Sequence, residues 1–213
     1  MEQVLEKLFE SIPKVRILRI FMQNADRFFT FPEITERSRV KVRQARKEVS
    51  KLLKIGILKR KKARIKYEIR GKSREKGRKP SVIFKTKKAE VFYANPGFKL
   101  LAELRELVIK SSVASRKKIL QQIKGLGKVK LAILSGIFLH NENARTDLFI
   151  VGDAIKRGRL EHFLSQLESD LGRSINYTCM DTAEFKYRLN MYDRFLRDLL
   201  ENNNEKLINK FHI

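Results

Sequence analysis

Between residues 41 and 88 the periodicity of this chain changes once, from helical to extended, and the change leaves little freedom in what the segment can fold into. Over residues 42–54, at about 100° per residue, Val42, Ala45, Val49, Leu52 and Leu53 gather on one side. Arg43, Gln44, Lys47, Ser50, Lys51 and Lys54 take the other, so the pattern predicts a core-facing helix with a cationic outer face. Gly56 is a natural helix stop, and Ile57-Leu58 begins an extended segment. Residues 63–70 then alternate strictly, which predicts a strand with Ile65, Tyr67 and Ile69 inward. Residues 71–80 hold five basic residues with Gly71, Gly77 and Pro80, a composition for a hairpin tip or a disordered loop. Val82-Ile83-Phe84 returns as a second strand, and Val91-Phe92-Tyr93-Ala94 forms a third.

Charge is concentrated in the same segment. Residues 41–88 carry 21 Lys and Arg against three acids, Glu48, Glu68 and Glu75, which places +18 of the chain's +24 there. Such a concentration implies a polyanionic partner, because each neutralised phosphate releases condensed counterions. The remainder is more ordinary. A chain of 213 residues with 42% hydrophobic content can build two small cores. The first 110 residues carry +19 and the rest only +5, which separates a binding half from a different second half.

Helices are predicted over residues 2–10 and 14–24, with Pro13 at the start of the second and Val15, Leu18 and Met22 along its inner face. Thr30 is placed to cap a short helix ending near Arg37, and a break follows at Ser38. Asn95-Pro96-Gly97 ends the first sheet. Leu100, Leu101, Leu104, Leu107 and Val108 then make one apolar stripe, open to sealing the first domain, docking the second or forming a homodimer. A helix over residues 115–124 leads through Gly125-Leu126-Gly127 into alternating strands and helices. Strands are expected at 129–134, 148–151 and 175–179, with helices at 159–171 and 182–200; the last offers Phe185, Leu189, Tyr192, Phe195, Leu196 and Leu199 for packing.

Catalytic candidates are sparse. Cys179 is the only cysteine, which rules out an internal disulfide, fits a reducing compartment and reads as a small buried residue. His140, His162 and His212 are scattered without metal or triad spacing; His140, beside the turn at Gly136, is the one worth testing. Glu142, Asp147 and Asp153 resemble a carboxylate cluster, but Asp147 suits a brace at a strand entry and Asp153 a strand end. The N-terminus has no signal-peptide pattern, and the longest apolar run, 131–139, is shorter than the roughly 20 residues that span a bilayer. The expectation is a cytoplasmic, nucleoid-associated protein with no membrane partner.

Three short helices followed by a basic hairpin resemble a winged helix-turn-helix over residues 14–94. The tract from Arg43 to Arg60 is similar to the recognition helix and first wing strand of ArsR-like regulators. The resemblance implies that Arg43, Gln44 and Lys47 enter the major groove of double-stranded DNA. Lys51, Lys54, Arg60, Arg64, Lys66, Lys72, Arg74, Lys76, Arg78 and Lys79 would then complete the DNA-binding surface, largely on phosphates. The first half has no Cys or His, which excludes an ArsR-type metal sensor.

Residues 129–180 resemble the minimal nucleotidyltransferase fold, in which a Gly-Ser turn and an Asp-x-Asp pair hold nucleotide phosphates and two magnesium ions. Here the corresponding places are Gly136-Ile137 and Arg145-Thr146-Asp147. Only Gly136 and Asp147 match. Arg145 puts a cation where the first acid belongs and Ile137 supplies no hydroxyl, so the resemblance implies a degenerate, catalytically silent site with no catalytic residue, metal or cofactor.

The expected architecture is thus α+β in two domains. A winged helix-turn-helix occupies 1–97, a helical linker or dimer helix 98–127, and a small α/β nucleotidyltransferase-like domain 128–213. The expected function is a non-enzymatic, sequence-specific DNA-binding transcriptional regulator, whose second domain meets a protein partner or a nucleotide-like ligand. Two alternatives stay open: an active nucleotidyltransferase acting on RNA or protein, and an RNA-binding or antitoxin-like interaction module.

Overall fold

A computed structural model describes residues 4–70, 82–110, 116–139, 141 and 143–213. The fold is mixed α+β. Its first part runs α1 (Val4–Leu8), α2 (Ile12–Gln23), β1 (Phe29–Thr30), α3 (Phe31–Ser38), α4 (Val42–Ile55), β2 (Leu58–Arg70), β3 (Val82–Ala94) and α5 (Leu101–Lys110). β3 lies between β1 and β2, antiparallel to both.

Local chemistry sets these boundaries. The Ser11 hydroxyl accepts the Lys14 N–H at 3.2 Å to start α2, with Pro13 in the first turn. Thr30 and Glu33 form a complete capping box on α3: the Thr30 hydroxyl accepts the Glu33 N–H, and the Glu33 carboxylate accepts the Thr30 N–H at 2.7 Å. Gly56, at φ +87°, ends α4 in the left-handed conformation that glycine adopts most readily. Asn95 holds that end in place, donating to the Gly56 carbonyl at 2.7 Å while its own carbonyl accepts the Gly97 N–H.

α2 is more deeply buried than a single inner stripe requires. Val15, Ile17, Leu18, Ile20, Phe21 and Met22 are all enclosed, because α3, α4 and α5 pack on this helix and so does α7 (Arg157–Leu171) of the second part. The expected second and third strands are one continuous β3, paired with β2 from Leu58↔Ala94 to Arg70↔Val82. The inner end of the hairpin joins the core, through Leu58 on β2 and Phe92 and Ala94 on β3. Ile65, expected inward, is only half-buried. The predicted hairpin tip, 71–80, lies outside the described residues.

The helices expected to form a linker divide between the two cores. In α5, Val108, Leu101 and Leu104 pack on the first, leaving Leu107 exposed, as is Leu100 just before the helix. Ile119 and Ile123 of α6 (Arg116–Lys124) belong to the second.

Beyond α6 come β4 (Lys128–Leu134), a 3-10 turn (Gly136–Leu139), β5 (Leu148–Asp153), α7, β6 (Tyr177–Met180), α8 (Thr182–Asn190), α9 (Arg194–Glu201) and β7 (Glu205–Asn209). The sheet order is β6-β5-β4-β7, with β5 and β6 parallel and the other pairs antiparallel. Alternation sends Leu148 and Ile150 toward α7, and Phe149 and Val151 toward α8 and α9. The helix expected over 182–200 is two. Tyr192 turns the chain at φ +52°, and the Asp193 carboxylate accepts the Leu196 N–H to start α9. Tyr192, expected to pack, is consequently 84% exposed. β7 is an additional strand on the edge of β4.

The halves dock through α2, α3 and α7. Arg16 pairs with Asp170 at 2.8 Å, and Asn24 donates to the Gly172 carbonyl at 3.0 Å. Gly172 sits at φ +79°, where a Cβ would stand 2.5 Å from the Arg19 backbone. Among the described residues, no helix is long and apolar enough to cross a membrane.

Candidate nucleic-acid interface

α4 is amphipathic because Ala45, Glu48, Val49 and Leu52 face inward. Arg43, Lys47, Ser50 and Lys54, at i, i+4, i+7 and i+11, form an exposed spine opposite them, flanked by exposed Gln44 and Arg46 and half-buried Lys51. Two of these cations are already engaged. Lys51 pairs with Glu48 at 3.1 Å, and the Arg46 guanidinium lies 5.7 Å from the Phe31 ring centre. Val42, grouped with the core by periodicity, is instead 55% exposed at the first position of the helix.

The start of α4 is left open. The Lys41 side chain makes no cap hydrogen bond, and the first turn contains Arg43 but no acid. A cation at the positive end of a helix dipole is locally unfavourable by about 0.3–1 kcal/mol.

The hairpin continues the basic surface. Arg60, Lys62, Arg64 and Lys66 alternate with Lys59, Lys61, Ala63 and Ile65 along β2, and Lys88 stands opposite Arg64 on β3. Same-face residues are spaced at about 7 Å. Arg60 is partly neutralised by Glu90 at 3.2 Å. Lys61 belongs to the other face, its ammonium 3.8 Å from the centre of the Phe28 ring, which meets Tyr93 edge-on. The expected residues Arg43, Gln44, Lys47, Lys54, Arg60, Arg64 and Lys66 are thus all exposed on α4 or β2. Lys72, Arg74, Lys76, Arg78 and Lys79 lie outside the described residues. Lys62, Lys88 and Arg46 are further exposed cations, and Lys62 was legible from the same alternation that singled out Arg64 and Lys66.

In the second half, Gly136 and Asp147 do come together. The Asp147 carboxylate is buried, accepting the Ile137 N–H at 2.9 Å on one oxygen and the Asn176 N–H at 2.9 Å on the other. Gly136 is required there at φ +54°, since a Cβ would run into that carboxylate. Arg145 turns instead to Asp198, 3.4 Å away on α9. Together with Asn141, Asn143, Phe195 and Asn202, this pair borders a cleft of about 240 Å³.

The other candidate residues have structural partners. Asp153, at the end of β5, receives hydrogen bonds from Lys130 and from the Thr182 N–H and O–H. These hold its carboxyl down at about 2, the Lys130 ammonium contributing most. His162 accepts from Arg39 at 3.3 Å on Nδ1, and Cys179 is half-buried with its thiol pushed up by desolvation. His140 and Glu142 fall outside the described residues. Compared with known protein-family models, curated proteins and solved structures, the chain finds no match.

Proposed function

We propose that the chain is a sequence-specific double-stranded DNA-binding regulator in which α4 enters the major groove and the β2–β3 hairpin clamps the backbone. The observation that carries this reading is the exposed spine of Arg43, Lys47 and Lys54 on a helix whose N-terminus has neither a side-chain cap nor an acid. A helix built this way is electrostatically incomplete until a polyanion meets it. The chain order α2-β1-α3-α4-β2-β3 and the sheet order β1-β3-β2 support a winged helix-turn-helix for the first part. The β4-turn-β5-α7-β6 order supports a nucleotidyltransferase-like second part. Its silence is supported by Asp147, whose two oxygens each accept a backbone N–H, and by Arg145 at the place of the missing acid.

Affinity should be measured by fluorescence anisotropy for a duplex selected from a random library, a scrambled duplex and a structured RNA, across a salt series. The expected result is a preference for the selected duplex over the scrambled one of more than about 10³-fold. Arg43→Ala and Gln44→Ala should each remove about 1–3 kcal/mol of that preference. Tighter binding to the RNA, or equal affinity for both duplexes, would overturn the reading.

A further inference from the structure

Val42 is out of place by every local criterion. It is β-branched, so it gains little as the first residue of a helix, a position better served by proline or an acid. It lies on the same side of α4 as buried Val49, yet it is 55% exposed, while Val40 before it and Ala45 after it belong to the core. Its Cα–Cβ bond tilts toward the helix N-terminus, so the isopropyl group leads the helix outward. One exposed valine on a protein surface is ordinary. This one is bracketed by Lys41, Arg43, Gln44, Arg46 and Lys47, all exposed and all able to bond phosphates or base edges.

Resting on the reading of α4 as the helix that enters the groove, we propose that Val42 is a specificity residue that packs against the C5-methyl group of a thymine. Among the four bases, thymine alone presents an apolar group in the major groove. Valine has no donor or acceptor to offer, so it selects by apolar contact and by leaving the amino group of a competing cytosine unpaired and desolvated. Arg43, adjacent in sequence, carries the donor fork that suits the O6 and N7 of guanine. The first turn of α4 therefore reads one methyl and one pair of acceptors side by side.

The test uses the full chain and the duplex selected from a random library. Each thymine in the site is replaced in turn by deoxyuridine, which pairs identically but lacks the methyl group, and Kd is measured for the wild type, Val42→Ala and Arg43→Ala. At one thymine per copy of the site, the wild type should lose about 3- to 10-fold in affinity. Val42→Ala should abolish that sensitivity, whereas Arg43→Ala should keep it while weakening binding overall. Val42→Thr, which retains one methyl, should keep part of it. Because Val42 is exposed, circular dichroism should confirm that each variant is folded. The inference is overturned if every deoxyuridine is tolerated by the wild type, or if Val42→Ala keeps the full penalty, even though the selected duplex is bound specifically. If no duplex is preferred at all, the wider DNA-binding reading fails and this one with it.

Discussion

α3 and α4 are separated by three residues, and they begin in opposite ways. α3 completes itself: Thr30 and Glu33 satisfy each other at its N-terminus, and Arg39 at its C-terminus donates to the His162 carbonyl of α7 at 3.1 Å. α4 starts with an uncapped Lys41 and a cationic first turn, and depends for its stability on Ala45, Val49 and Leu52 packing behind it. The difference separates two uses of a helix. One spends its polar groups on holding the fold, and the other leaves Arg43, Lys47 and Lys54 exposed, which on the proposed reading serve a polyanion.

The largest effect should come from the joint between α2 and α7. Gly172→Ala places a methyl group against the Arg19 backbone in a conformation that L-residues disfavour, and should destabilise by roughly 2–5 kcal/mol. In thermal unfolding this corresponds to a fall of about 5–15 °C. A loss below about 1 kcal/mol would mean that the α2–α7 contact yields easily.

Thr30→Ala removes the capping box and should cost about 1 kcal/mol in urea unfolding, with DNA affinity unchanged within about twofold. Lys41→Ser makes the opposite change on α4. It should add about 0.5–1 kcal/mol of stability while lowering the salt slope of DNA binding by about 1. If both substitutions destabilise alike, the two helix starts are equivalent and the contrast fails.

The smallest effect belongs to a residue remote from either helix. The Asp153 carboxyl is held at about 2, below its usual value, so its contribution is present above about pH 4 and is lost as pH falls through about 2. The Tm gap between wild type and Asp153→Asn should narrow over that range. A gap constant with pH would show that Lys130 is not the stabilising partner.

The helices of the first half were readable because each carries a local signal: Thr30 ahead of Glu33, Pro13 after Ser11, and an apolar side on α4. The middle of β3 was not. Thr86, Lys87, Lys88 and Glu90 are exposed on both faces, so the period of two carries no hydrophobic contrast, and it is pairing with β2 that makes the segment a strand. The break at Tyr192 was hidden because its flanking residues keep a helical apolar pattern, while Asp193 acts as a cap only once the chain has turned. At the candidate interface, periodicity identified the cationic face of α4, but it could not show that Val42 stays 55% exposed between core residues Val40 and Ala45. Nor could it show that Arg60 is ion-paired, because Glu90 reaches Arg60 only through the strand register.

α2 is enclosed on one side by α4 and α5 and on another by α7, with Asn24 and Arg16 fastened to the far end of α7. A gene encoding this chain therefore cannot be divided by simple recombination into two transferable cassettes. A fragment ending at residue 97 would lack α5 and α7 and uncover the faces of α2 that they cover, so a new partner domain would have to re-create the seat that Gly172 provides. A joint fastened by Arg16, Asn24 and Gly172 favours inheritance of the two parts as one unit.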